Sequence, residues 1–207
     1  MRYKYIFWDF NGTIIDDVNN ALGCVNDLLE RKGRTPITLQ EYYNYIETPI
    51  VGFYYHILPP DEIDFDEISK NFHCDYNKRI GETRLAEGTF DLLRELYRQG
   101  VHQYIITSNN AEETTLLIEK FGIQDFFHGI SGADDTLSGS KTERARQLFE
   151  ELNIHPNDAL FVGDTLHDLE TANALGIDCV LVEYGHQGKK LLRSFNAVAS
   201  KSYCYAH

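Results

Sequence analysis

The feature that most restricts the fold of this chain is the regular alternation of helical and β-rich stretches after Thr89. Helical patterns cover 89–99, 111–121, 141–152 and 168–175, and short β-rich runs cover 103–107, 159–162 and 178–182. Strands spaced by helices in this way predict an α/β fold with a parallel sheet flanked by helices. A further strand is predicted over 3–9, rich in aromatic and β-branched residues and closed by the turn-forming Asn11-Gly12. Next comes a helix with Val18, Ala21, Leu22, Val25, Leu28 and Leu29 on one face. Asp16 and Asp17 favour its N-terminus, and Gly33 follows Arg31 and Lys32 at its end. The stretch 38–85 reads as helical throughout, broken at Thr48-Pro49 and Pro59-Pro60. Capping-box spacing at Asn110/Glu113, Ser140/Glu143 and Thr165/Asp168 marks where strands give way to helices.

In open α/β sheets the binding crevice lies beyond the carboxyl ends of the strands, so strand-to-helix junctions are the candidate site. Four junctions carry reactive polar groups: Asp9, Ser108, Lys141, and Asp164 with Asp168. Ser108 and Lys141 are 33 residues apart and Lys141 and Asp164 are 23 apart, each about one strand-plus-helix step of ~30. Asp9 and Ser108 are 99 apart, about 70 residues more than such a step requires. The surplus coincides with the helical stretch, which predicts a lid inserted over the crevice. The expected organisation is a core of 1–16 and 86–207 interrupted by a helical cap of 17–85.

Charge narrows the ligand. The 207 residues carry 19 Lys and Arg against 32 Asp and Glu, a formal net charge of −13. The basic residues are scattered, which excludes a nucleic-acid polymer that would be bound through clustered cations. Any phosphate held here needs locally placed positive charge. At 43% hydrophobic and 25% charged residues the composition is that of a globular protein, and a chain this long buries roughly 70% of its unfolded surface without disulfide or zinc. Cys24, Cys74, Cys179 and Cys204 form no CxxC pair, and His73 and His207 are too isolated to complete a zinc set. The apolar run at the N-terminus is cut by Asp9 well before the ~18 residues of a membrane span. Reduced thiols and a cytoplasmic location are expected.

Asp9, Asp164 and Asp168 would converge at the strand ends, where three carboxylates do not stay ionised together without a cation. Oxygen-only ligation by few acids, completed by water and substrate phosphate, favours Mg²⁺. Ser108, the amides around Gly12 and Thr13, and the Lys141 ammonium would supply donors to a phosphoryl group. Thr107 or Asn109 fits the Ser108 role equally well within the Thr-Ser-Asn-Asn run. This inventory suits phosphoryl transfer from a small phosphorylated metabolite.

The strings WDFNGT, IITSNN, SKTERA with Lys141, and VGDTLHDLETANALG resemble the four ordered motifs of the haloacid dehalogenase superfamily, and together they span nearly the whole chain. The helical insertion resembles the small cap of its phosphoglycolate phosphatase and β-phosphoglucomutase subgroup. The resemblance implies a Rossmann-like three-layer core, a Mg²⁺ cofactor and an aspartyl-phosphate formed on Asp9. It also implies metal ligation by Asp9, Asp164 and the Asn11 backbone carbonyl, with Asp168 ordering a metal-bound water. Ser108 and Lys141 would hold the phosphoryl group, with Gly12, Thr13 and Asn109 beside them.

One position departs from that pattern. Family phosphatases carry a second aspartate two residues after the nucleophile, as acid and base, and here the residue is Asn11. An amide does neither job, and general acid–base catalysis is worth about 10²–10⁴ in rate. Binding and attack by Asp9 are expected to persist, turnover of poor leaving groups to be slow, and Asn11→Asp to accelerate it. His56, His102, His128, His167 and His186 are the candidates for a replacement proton donor. Three other readings stand beside this one: a phosphonate hydrolase using Lys70 or Lys78 of the cap, a phosphomutase-like activity, and a binding or regulatory protein that retains the phosphate pocket. The aromatic run Tyr42, Tyr43, Tyr45, Phe53, Tyr54 and Tyr55 is expected to pack within the cap.

Overall fold

The structure is a computed structural model that describes residues 2–47, 49–133 and 140–196. Thr48, Cys204 and His207 lie outside the described residues, and Cys24, Cys74 and Cys179 are free thiols. No helix among the described residues is long and apolar enough to cross a membrane.

The chain runs through β1 (Tyr5–Trp8), β2 (Ile15–Asp16), α1 (Val18–Arg31), α2 (Leu39–Tyr45), α3 (Val51–Ile57), α4 (Phe65–Arg79) and β3 (Arg84–Leu85). It continues through α5 (Thr89–Arg98), β4 (His102–Asn110), α6 (Ala111–Lys120), β5 (Gly129–Ala133) and α7 (Lys141–Glu151). The last elements are β6 (Ala159–Gly163), α8 (Leu166–Leu175), β7 (Asp178–Leu181) and α9 (Lys189–Asn196). Five strands form one sheet in the order β5-β4-β1-β6-β7, with every pairing parallel.

Alternation along each strand divides the core between the two faces of the sheet. Phe7, Tyr104, Ile106 and Phe161 pack on one side with Ala145 and Phe149 of α7 and Leu169 and Ala172 of α8. Ile6, Trp8, Ile105 and Val162 pack on the other with Leu93 and Leu96 of α5 and Leu117 and Ile118 of α6. Each fully buried aromatic or aliphatic side chain contributes roughly 1.5–3 kcal/mol relative to exposure. One polar residue sits inside without cost in unmade bonds: Gln103 accepts from Trp8 Nε1 at 3.2 Å and donates to the Leu93 carbonyl at 3.0 Å.

Central β1 is bracketed in register, with Tyr5 to Trp8 opposite His102 to Ile105 of β4 and Ala159 to Val162 of β6. The connections lead outward from β1 on one side, to β4 and β5, and on the other to β6 and β7. The carboxyl end of β1 is therefore the switch point at which a crevice opens.

Three strands escaped the sequence pattern. Strand β5 has two glycines in five residues and one β-branched side chain, so it lacks intrinsic strand preference and is specified by its partner. Gly129 gives the Tyr104 ring room there, because a Cβ would approach Tyr104 Cδ1 to 3.3 Å. Strands β2 and β3 are two residues each and pair antiparallel, Ile15 with Leu85 and Asp16 with Arg84. Too short to show a period, they clasp the points where the chain leaves for α1 and returns from α4.

Helices α1 to α4 surround a third apolar cluster of Val18, Val25, Leu28, Phe53, Tyr54 and Ile68. Thr38 caps α2 through a reciprocal bond pair with Glu41, and Asp64 caps α4 by accepting from the Glu67 amide at 3.1 Å. Pro60 opens a 3₁₀ turn between α3 and α4. Most of the aromatic run packs as expected, with Tyr42, Phe53 and Tyr54 buried, while Tyr55 is exposed.

Candidate active site

Asp9 is the first residue beyond β1, tied in place by its amide, which donates to the Val162 carbonyl at 2.8 Å. Its carboxylate is buried and accepts a hydrogen bond from Lys141 Nζ. Lys141 opens α7, whose cap is the reciprocal bond pair between Ser140 and Glu143. A lysine in a first turn is disfavoured by the helix dipole, yet Lys141 is only 5% exposed. Its charge is compensated on the other side by Asp168 Oδ1 at 2.6 Å, and the Phe161 ring lies 5.5 Å from Nζ. Burial works against the Lys141 cation, but Asp168 and Asp9 outweigh it and raise its pKa.

Asp164 follows β6 and Asp168 sits in the first turn of α8. Asp168 Oδ2 accepts from the amides of Asp164 at 3.1 Å and Thr165 at 2.9 Å, so it is aimed inward by its own helix start. Burial alone would raise the Asp168 pKa, but Lys141 beside it brings it down. Burial pushes Asp9 up to about 6, with Lys141 opposing and the Asp168 charge adding. Asp164 is also raised well above the usual carboxylate range, by burial first and then by Asp9 and Asp168, against a lowering by His186. Close packing holds Asp164: a Cβ on Gly12, at φ 70°, would lie 2.9 Å from its carboxyl carbon, and one on Gly185 would lie 2.5 Å from it.

Residues from the helical insertion complete the wall. Asn11 Nδ2 donates to Asp17 Oδ2 at 2.7 Å and to Tyr76 OH at 3.1 Å, while its Oδ1 accepts from Asn109 Nδ2 at 2.6 Å. Asp17 also accepts from the Gly12 amide at 2.8 Å and from Tyr76 OH at 2.7 Å. Its Oδ1 lies 3.1 Å from His186 Nε2, whose other ring nitrogen lies 2.8 Å from Tyr42 OH. Burial would raise the Asp17 pKa, but His186 and these donors bring it below the usual range. Burial disfavours a charged His186, but Tyr42, Asp17 and Asp164 outweigh it.

These groups border a cavity of about 420 Å³ at the carboxyl end of the sheet. Asp9, Asn11, Thr107, Ser108, Asn109, Lys141 and Asp164 line it. Of the other expected site residues, Asp168 stands behind Lys141, and Gly12 and Thr13 lie beneath the surface of the pocket. The Gly12 amide is taken by Asp17 and the Thr13 amide is directed at the Phe10 carbonyl at 3.4 Å, so neither is spare for a phosphate. Thr13 instead donates through Oγ1 to Asp164 at 3.2 Å. Ser108 is exposed at the pocket wall, whereas Thr107 is buried beside it and accepts from the Asn109 amide at 3.1 Å.

Asp17 was expected to serve the start of α1. It does occupy the N-cap position, but it makes no side-chain cap bond and turns its carboxylate into the site. Of the five candidate histidines, His167 and His186 line the cavity. The sequence offered no signal for Asp17, Tyr42 or Tyr76 as a group, since 59 positions separate Asp17 from Tyr76 and 144 separate Tyr42 from His186.

Asp9, Asp164 and Asp168 each place an oxygen within 4.8 Å of the others. Three buried acids against the single Lys141 cation leave an excess of negative charge that a divalent ion would neutralise. The oxygen-only donor set fits a hard cation of the Mg²⁺ type.

A family model for haloacid dehalogenase-like hydrolases matches residues 6–182. The chain belongs to the haloacid dehalogenase-like hydrolase family. The match covers both halves of the sheet and the helices between them. Among curated relatives of these hydrolases, a phosphoglycolate phosphatase from Pseudomonas putida is 29% identical over 192 residues, covering 88% of this chain and 70% of that protein. A 5'-nucleotidase from Pseudomonas aeruginosa is 26% identical over 198 residues, covering 94% and 89%. A haloacid dehalogenase-like hydrolase from Streptococcus pneumoniae superposes with a TM-score of 0.84 at 21% identity, covering 100% of this chain and 95% of that one.

The buried Lys141 gives a stability prediction. Lys141→Met leaves Asp9 and Asp168 facing each other without their cation, and breaking a buried pair from one side typically costs about 3–5 kcal/mol. Denaturant unfolding should show a loss of that size, partly recovered by adding Asp168→Asn. An unchanged midpoint for Lys141→Met would mean that the pair contributes nothing to folding.

Proposed function

We propose that this hydrolase releases phosphate from small phosphorylated metabolites through an aspartyl-phosphate on Asp9, with Mg²⁺ as cofactor. The observation that carries the reading is the placement of a buried carboxylate beside a buried lysine, at the floor of a cavity where the sheet's central strand ends. The names of the curated relatives, phosphoglycolate phosphatase and 5'-nucleotidase, support phosphate monoesters as the substrate class.

In this reading an Asp9 oxygen forms a bond to phosphorus as the bond to the leaving oxygen breaks, and water later attacks the phosphoaspartate to free inorganic phosphate. Lys141 holds the non-bridging oxygens together with donors from Thr107, Ser108 and Asn109. Asp9 and Asp164, with the Asn11 carbonyl, would hold the metal, and Asp168 would orient a water from behind Lys141. Bound there, the dication would neutralise charge on the transferring group and relieve the repulsion among the acids. Residues 17–85 act as the cap, and Tyr42, Tyr76 and Asp17 are the contacts by which it reaches Asn11 and His186 at the site. Asn11 supplies no proton to the leaving group, so turnover of alkyl esters is the slow step.

The test is release of inorganic phosphate from acetyl phosphate and from alkyl phosphates, with Mg²⁺ and with excess chelator. Acetyl phosphate should turn over many times, alkyl esters about 10²–10⁴-fold more slowly, and chelation should stop both. No multiple turnover of acetyl phosphate would leave the binding-protein reading, which Asn11 favours. The phosphonate reading is the less favoured, because neither Lys70 nor Lys78 is among the described residues that line the cavity, and Lys78 is largely exposed and pairs with Asp75 at 2.9 Å.

A further inference from the structure

Resting on the phosphohydrolase reading, we propose that the preferred ester carries an uncharged leaving group with an apolar ring, and that carboxylate-bearing esters are discriminated against. The cavity above Asp9 does not end at the phosphate donors. A second cavity of about 220 Å³ shares Tyr42, Ile46, Ile50, Phe72, Ser108 and Asn109 with it. The space over Ser108 and Asn109 therefore continues into helices α2 to α4. Its walls there are mainly apolar: Phe53, Phe65 and Phe72 face it with Ile46 and Ile50, Ser69 and His73 are the polar exceptions, and Ile50 is 44% exposed. Apolar side chains left open to a concave surface gain by covering it with apolar ligand area. At about 420 Å³ the first cavity alone lies in the range that encloses drug-sized ligands, more than a two-carbon ester fills.

Charge points the same way. Among the described residues, Lys141 is the only lysine or arginine lining either cavity, and both Asp9 and Asp168 engage it. Besides Asp9 and Asp164, the carboxylates on the walls are Glu47, Glu113 and Asp17. Two of the imidazoles are committed, His186 to Asp17 and Tyr42 and His167 to Glu170 at 3.5 Å, while His73 is exposed and packs edge-on to the Phe72 ring. A carboxylate on the leaving group would meet these acids with the Lys141 cation already shared between two carboxylates, and like charges in a partly desolvated cavity repel. An uncharged ring would meet neither penalty.

Three esters with alkyl leaving oxygens separate ring, charge and size: 2-phenylethyl phosphate, ethyl phosphate and phosphoglycolate. With Mg²⁺, kcat/KM for 2-phenylethyl phosphate should exceed that for ethyl phosphate about tenfold or more, with phosphoglycolate below both. Ile50→Asp and Phe72→Ala should shrink the ring preference, and because Ile50 is partly exposed its replacement tests the wall without emptying a core position. Glu47→Lys should raise phosphoglycolate relative to ethyl phosphate. A preference for phosphoglycolate over ethyl phosphate, or no advantage for the ring, overturns the proposal. If neither these esters nor acetyl phosphate is hydrolysed, the phosphohydrolase reading fails instead. Calorimetric binding of the same esters in Mg²⁺ then decides the subsite, upheld by the same ranking and overturned by tighter phosphoglycolate.

Discussion

Asp9→Asn should reduce phosphate release from every substrate by about 10⁴-fold or more, because it removes the proposed nucleophile while keeping the shape of the side chain. The structure adds that this loss should come without a loss of stability. Asp9 is a buried acid whose charge is disfavoured enough to raise its pKa to about 6, so an uncharged isostere relieves the site. Lys141 keeps its second partner, Asp168, at 2.6 Å. Phosphate release and thermal unfolding measured on one preparation separate the two effects. If Asp9→Asn kept more than a hundredth of the wild-type rate, the phosphoryl acceptor would have to be another residue.

The second large effect concerns Asn11, and here the tertiary structure alters the expectation from sequence. Asn11→Asp alone looks like the repair of a missing acid. But both Asn11 Nδ2 protons are in use, and one of them bridges 2.7 Å to Asp17. An aspartate at 11 would set two carboxylates at that separation, which forces one of them to hold a proton or move away. Asp17→Asn in the same chain returns the missing donor, since the new amide can donate to the new carboxylate while its oxygen still accepts from the Gly12 amide. The expected result is a gain below tenfold for Asn11→Asp and about 10²–10⁴-fold on alkyl phosphates for the double variant. Acetyl phosphate should gain less than alkyl phosphates, because its leaving group departs without a proton and only the attack of water on the phosphoaspartate would benefit from the new carboxylate. Equal gains from the single and double variants would show that Asp17 does not govern position 11. No gain from either would remove position 11 from proton transfer.

Much of the fold was legible because its information is local. A buried parallel strand reads as an apolar run, an amphipathic helix shows its 3.6-residue period, and a helix start shows its cap. That sufficed for β1, β4, β6 and β7 and for the helices around them. Strand β5 was not legible, because Gly129 and Gly132 give a strand only where Tyr104 to Ile106 provide the partner. The paired ends β2 and β3 were not legible either, because two residues carry no period.

The order of the strand-end residues Asp9, Ser108, Lys141, Asp164 and Asp168 was set by the sequence alone, since in a parallel sheet every strand-to-helix junction falls on the same side. Which of their neighbours join them was decided only in three dimensions. His186 and Asp17 meet across 169 positions of chain, and Asn109 reaches Asn11 across 98. The Asp17 carboxylate reads as a helix-start acid until α4 brings Tyr76 and the loop after β7 brings His186. A side chain's chemistry follows from the charges and hydrogen-bond partners within a few ångströms, and sequence periodicity carries no record of partners that distant elements deliver.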